Sequence, residues 1–205
     1  MPDCDVNYDF INYRKIDLLR EIGTIGSGRA ATAFGRMIRH QIGLAVPEVR
    51  LYPPEKLRDI LRHHGSYYVL EADTKGDITG RQFLLVPSEE AEKLGRIILT
   101  QFAGISEHNL EMFRSALVET ANILLSSYAN AVSMVTGFTA IVGVPRLHEA
   151  ETVGCCDVIL AKTDAAFIYV QSVLIAKQLS AEFYLFFVPD QASLIKIFDK
   201  LAPDT

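Results

Sequence analysis

Ser115-Ala-Leu-Val-Glu119-Thr-Ala-Asn122, followed after 22 further residues by Pro145 in Val144-Pro145, has an earlier counterpart in the same chain. Asp17-Leu-Leu-Arg-Glu21-Ile-Gly-Thr24 runs through a stretch of small residues to Val46-Pro47. Glu21 and Glu119 are 98 residues apart, and so are Pro47 and Pro145. Further on, Phe83-Leu-Leu-Val-Pro87 is echoed by Leu185-Phe-Phe-Val-Pro189, and each is followed by a short amphipathic stretch. Four landmarks in one order indicate a duplicated unit, with repeats at about 13–101 and 107–202.

Each repeat reads as a long helix, several strands and a closing helix, which makes the chain α+β. The long helices are expected near 13–39 and 108–136, and the closing ones at 88–99 and 190–201. Strands are expected at 43–52, 66–72 and 81–86, then at 139–144, 153–161, 165–175 and 182–188. These segments are rich in β-branched and aromatic residues and bounded by Pro, Gly or Asp. Lys75-Gly76-Asp77 is a turn signal, and 55–64 reads as a short helix.

Bulk composition excludes several classes. The 205 residues are 49% hydrophobic, enough for a substantial core, and carry a net charge of −5, unlike a nucleic-acid binder. No apolar run reaches the ~18 residues of a membrane span. Met1 to Phe10 holds three aspartates and no basic residue, unlike a secretory signal. Three cysteines without a CxxC spacing suit a reducing cytoplasm.

On a helix, residues at i, i+4, i+7 and i+11 share one face. In the second long helix that face carries Ser115, Glu119, Asn122 and Ser126, continued by Ser133, with Asn130 at its edge. Leu117, Ala121, Leu124, Leu125, Tyr128 and Val132 form the opposite, core-facing stripe. In the first helix Asp17, Glu21, Thr24, Gly28 and Thr32 lie opposite Leu19, Ile22, Gly26, Ala30, Ala33 and Met37. A solvated face is normally built from Lys, Glu, Gln and Arg. Small polar groups with one acid, made of mediocre helix formers, suit docking against another protein instead.

Gly23, Gly26 and Gly28 in one helix each cost about 1 kcal/mol relative to Ala. Close packing at Gly26 and clearance for a partner at Gly28 would account for them. The run does not read as a phosphate loop, since it lacks a preceding strand and the Lys-Ser/Thr that follows one. His63-His64 reads as a solvated helix end and His40 and His148 as lone loop-edge residues, none with ligand-spaced companions. Cys155-Cys156 is expected in a strand, with one thiol inward and one outward. No metal cluster and no Ser-His-Asp set is legible.

An acid, two residues, an amide, then 22 residues and a proline resembles the signature of the CheC/CheX/FliY family of chemotaxis phosphatases. The second block matches at Ser115, Glu119, Asn122 and Pro145. The first matches at Asp17, Glu21 and Pro47 but has Thr24 where the family has Asn. The likeness is greatest to CheC. It implies two long pseudo-symmetric helices packed on a largely antiparallel sheet, with both motif faces turned outward. It also implies a cytoplasmic aspartyl-phosphate phosphatase acting on a phosphorylated CheY-type response regulator. Glu119 and Asn122 would be the catalytic pair, and Glu21/Thr24 a degenerate second site. No cofactor of its own is implied, since magnesium comes with the regulator. The alternative is a non-catalytic adaptor that binds a CheD-type receptor deamidase or a regulator.

Overall fold

The computed structural model describes residues 13–39, 41–53, 56–61, 65–100, 110–160, 167–176 and 179–201. Helix α1 (Tyr13–Ile38) leads through β1 (Ile42–Tyr52) and one turn of helix, α2 (Leu57–Ile60), to the hairpin of β2 (Ser66–Gly76) and β3 (Gly80–Pro87). Helix α3 (Ser88–Thr100) closes the first half. The second half runs α4 (Leu110–Thr136), β4 (Ala140–Val142), β5 (Arg146–Glu151), α5 (Thr152–Leu160), β6 (Phe167–Ala176), β7 (Leu179–Pro189) and α6 (Gln191–Leu201).

The seven strands of the described residues form one antiparallel sheet in the order β1-β6-β7-β3-β2, with β4 and β5 end to end along the far side of β2. Each half therefore gives its first strand to the other half's edge. The register repeats with the sequence. Ile42 pairs with Ala176 as Ala140 pairs with Gly76, and Glu48 pairs with Gln171 as Arg146 pairs with Glu71. Between those pairs each outer strand has one residue more than its partner, and Pro47 and Pro145 stand there. A proline has no N–H to lose from a ladder, so a bulge is where an edge strand tolerates it. Phe83↔Phe186 and Leu84↔Leu185 join the halves at the sheet centre.

Both faces of the sheet are covered. On one, α1, α3, α4 and α6 bury Phe34, Leu84, Leu94, Leu124, Leu185 and Phe198. On the other, α2 and α5 bury Leu57, Tyr67, Phe83, Cys155, Ile159 and Phe186. Strands covered on both sides read as near-continuous apolar runs, as β3 does.

Several expectations are corrected. Of the run expected as a strand at 153–161, the described residues to Leu160 are helix α5, and Cys155 and Cys156 are both fully buried rather than in and out. An apolar run with no period gives no way to choose helix or strand. The strand expected at 139–144 is only β4, and β5 follows unforeseen after the bulge. His148 lies in β5, with Nε2 3.6 Å from Glu71 Oε2, not at a loop edge. At the end of α1 the buried stripe moves to Phe34 and Ile38, leaving Ala33 and Met37 half-buried. His40, His63 and His64 lie outside the described residues.

Candidate functional site

Helix α4 is amphipathic as its sequence requires. Leu117, Ala121, Leu124, Leu125, Tyr128 and Val132 are buried, which turns the 115/119/122 face outward. Glu119, Ser115 and Asn130 are exposed, while Asn122 and Ser126 are half-buried. Ser133 leaves this face, because its Oγ accepts the Ala140 backbone N–H at 3.1 Å and ties the helix to β4. Gly137, at φ +76, ends the helix, and its N–H bonds the Ser133 carbonyl at 2.8 Å.

Glu119 and Asn122 are three residues apart, so their side chains are neighbours on the helix surface. Among the described residues neither makes a side-chain hydrogen bond or ion pair. The contrast with nearby hydroxyls is sharp. Thr120, Ser127 and Thr136 each spend their proton on a carbonyl four residues back. An unpaired carboxylate beside a free amide is an acceptor next to a group that both donates and accepts.

The pseudo-equivalent face on α1 differs. Asp17 and Glu21 are exposed as expected, but Asp17 is paired with Arg20 at 2.8 Å. Thr24 is exposed, and its hydroxyl donates to the Arg20 carbonyl at 2.9 Å. Thr24 is left with acceptor capacity only, which an amide in its place would not be. At Gly28 a Cβ would meet nothing within 4 Å, so internal packing does not explain this glycine. A shallow groove of about 440 Å³ runs past Thr24, Gly28, Thr32 and Arg36. A second, of about 390 Å³, lies beside Glu119, lined by Glu111, Arg114, Ser115, Val118 and Leu147. The sequence offered no hint of Leu147 here, because β5 was not legible.

Pro145 is buried in the bulge between β4 and β5, and Pro47 holds the matching place in β1. Neither belongs to the helical faces: Pro47 lies within β1, and Pro145 in the link between β4 and β5. Burial pushes the Cys155 thiol up to about 12 and raises Cys156 as well, which removes either as a thiolate nucleophile. Among the described residues no group of three or more His, Cys, Asp or Glu could hold a metal ion. No described helix is long and apolar enough to cross a membrane.

No family model matches the chain. The CheY-P phosphatase CheC of Bacillus subtilis (strain 168) is 30% identical over 150 residues, which is 68% of either chain. The flagellar motor switch phosphatase FliY of the same organism is 24% identical over 141 residues, covering 68% of this chain and 37% of that one. Among solved structures, FliY of Thermotoga maritima superposes with a TM-score of 0.75 at 19% identity, covering 94% of this chain and 99% of that one. At that identity the superposition speaks for the fold alone.

Proposed function

Because the chain belongs to the CheC-like family of chemotaxis proteins, we propose that it hydrolyses the aspartyl phosphate of a CheY-type response regulator, with α4 as the working face. The observation that carries this reading is the pair of uncommitted side chains, Glu119 and Asn122, side by side on an outward surface.

The chemistry asks little of the phosphatase beyond placement. A water attacks the phosphorus in line, the bond to the aspartyl oxygen breaks, and a free carboxylate and inorganic phosphate result. The regulator brings its own magnesium and lysine, so the remaining lever is orientation of the water. Asn122 holds that water by accepting one hydrogen bond and donating another without becoming charged. Glu119 meets the regulator's active-site lysine and docks it. A regulator of this type is cytoplasmic, and so is the proposed site of action.

The α1 face is a binding face without hydrolysis. Glu21 is available to dock a partner, but the Thr24 hydroxyl proton is held by its own helix. The chain acts as one domain of two repeats, since each half's edge strand lies in the other half's sheet.

The test is loss of acyl phosphate from a radiolabelled regulator with magnesium. Wild type and Glu21→Ala are expected to accelerate decay, and Asn122→Ala to be slower by about a hundredfold. If Glu21→Ala alone abolishes the acceleration, the working face is on α1. If no variant departs from the regulator's own decay although it binds, the chain is an adaptor.

A further inference from the structure

The groove beside Glu119 joins helix α4 to strand β5, and the residues that line it differ in kind from those at the corresponding places of the first half. Its floor is aliphatic, Val118 from α4 and Leu147 from β5. Its wall carries Glu111 and Glu119, eight residues apart and so about 12 Å along the helix. Neither acid is paired with a described residue. Arg114 also lines the groove, but it is tied to Glu149 on β5 at 2.5 Å. That bond joins helix to edge strand and neutralises the cation among the described lining residues.

Ninety-eight residues earlier the same positions read differently. Val118 corresponds to Arg20, which reaches Asp17, the counterpart of Ser115. Glu111 and Glu149 correspond to the uncharged Tyr13 and Leu51. Leu147, which is half-buried, corresponds to a fully buried Val49. The half without the amide therefore carries Tyr13 and Arg20 where the other carries Glu111 and Val118. The amide and the acidic, aliphatic lining thus occur together on one face, and neither set of residues stands on the other.

We infer that the α4–β5 groove selects the phosphorylated regulator by receiving a surface segment in which a Lys or Arg stands beside an aliphatic side chain. Glu111 takes the cation, Val118 and Leu147 take the aliphatic group, and the segment seats the regulator so that its lysine falls on Glu119. Charge complementarity supplies the encounter rate and the choice of partner. This inference rests on the phosphatase reading, whose own failure is visible separately.

The experiment is steady-state dephosphorylation of a CheY-type regulator phosphorylated with acetyl phosphate, for wild type, Glu111→Lys and Val118→Arg, with Arg96→Ala on α3 as control. Both groove variants change exposed or half-exposed positions on a helix that stays amphipathic. The expected result is a KM raised about tenfold with kcat within about twofold, and no change in the control. The wild-type KM should climb with salt, and that of Glu111→Lys should be flatter. Unchanged KM values in both variants, or a fall confined to kcat, overturns the inference. If wild type shows no turnover, the phosphatase reading fails. The groove is then judged by binding of the beryllofluoride-activated regulator: weaker binding to Glu111→Lys supports it, and equal binding overturns it.

Discussion

A Cβ placed on Gly26 would stand 2.6 Å from Cδ1 of Tyr128, so the two long helices meet where one has no side chain and the other has a ring. The adjacent Ser27 hydroxyl and Tyr128 hydroxyl share a 2.5 Å hydrogen bond, and Ser27 also bonds the Gly23 carbonyl. This contact is part of the layer that turns both motif faces outward. Gly26→Ala is expected to drive the ring out of place and cost about 1–3 kcal/mol, read as a lower urea midpoint. Gly28→Ala, with open space around it, is expected to stabilise by up to about 1 kcal/mol. Equal effects of the two would contradict the packing described.

The first face lacks one amide and keeps its acid. Thr24→Asn in the Asn122→Ala background is expected to restore part of the dephosphorylation rate, because Asn does not bond the Arg20 carbonyl as Thr24 does. Asn122→Ala alone supplies the baseline. A double variant no faster than that baseline would mean that Arg20 and Asp17, rather than Thr24, disable the α1 face.

Acid stability should depend on Asp190, which caps α6. Its partial burial disfavours the charge, but the Thr79 hydroxyl and the Ser193 backbone and hydroxyl bond it, and the balance holds the carboxyl below its usual value. A carboxyl depressed in the folded state stabilises fully above its unfolded pKa, near 3.9, and loses that contribution as pH falls through the lower folded value. Asp190→Asn keeps a capping side chain and removes the titration. Urea midpoints of the variant should therefore fall less steeply than wild type below about pH 4. Parallel acid curves would remove Asp190 from the explanation.

The exchange of edge strands predicts how the chain can be divided. Separated between α3 and α4, each half keeps only its own hairpin, β2–β3 or β6–β7, and loses the strand that pairs along it. The halves are expected to be unfolded or aggregated apart and to give one cooperative transition when refolded together, followed by circular dichroism. A first half that unfolds cooperatively alone would show the repeats to be independent.

The sequence was most informative where structure follows a short local period. The 3.6-residue pattern marks α1 and α4 almost to the residue, and the buried stripe of α4 is the one read from spacing. The repeated acid at Glu21 and Glu119 and the repeated proline at Pro47 and Pro145 reveal the duplication and the motif face. Where an apolar run has no clear period, as at 153–161, helix and strand are not told apart by spacing.

Local chemistry in the sequence thus determined that the chain is a duplicated α+β unit with Glu119 and Asn122 together on an outward face. Only the tertiary structure decided that each half completes the other's sheet, that Leu147 comes beside Glu119, and that the Thr24 proton is spent on its own helix. Helical faces are set by residues three and four apart, whereas strand partners and groove walls are chosen by packing between residues far apart in the chain. No short window of sequence holds that information.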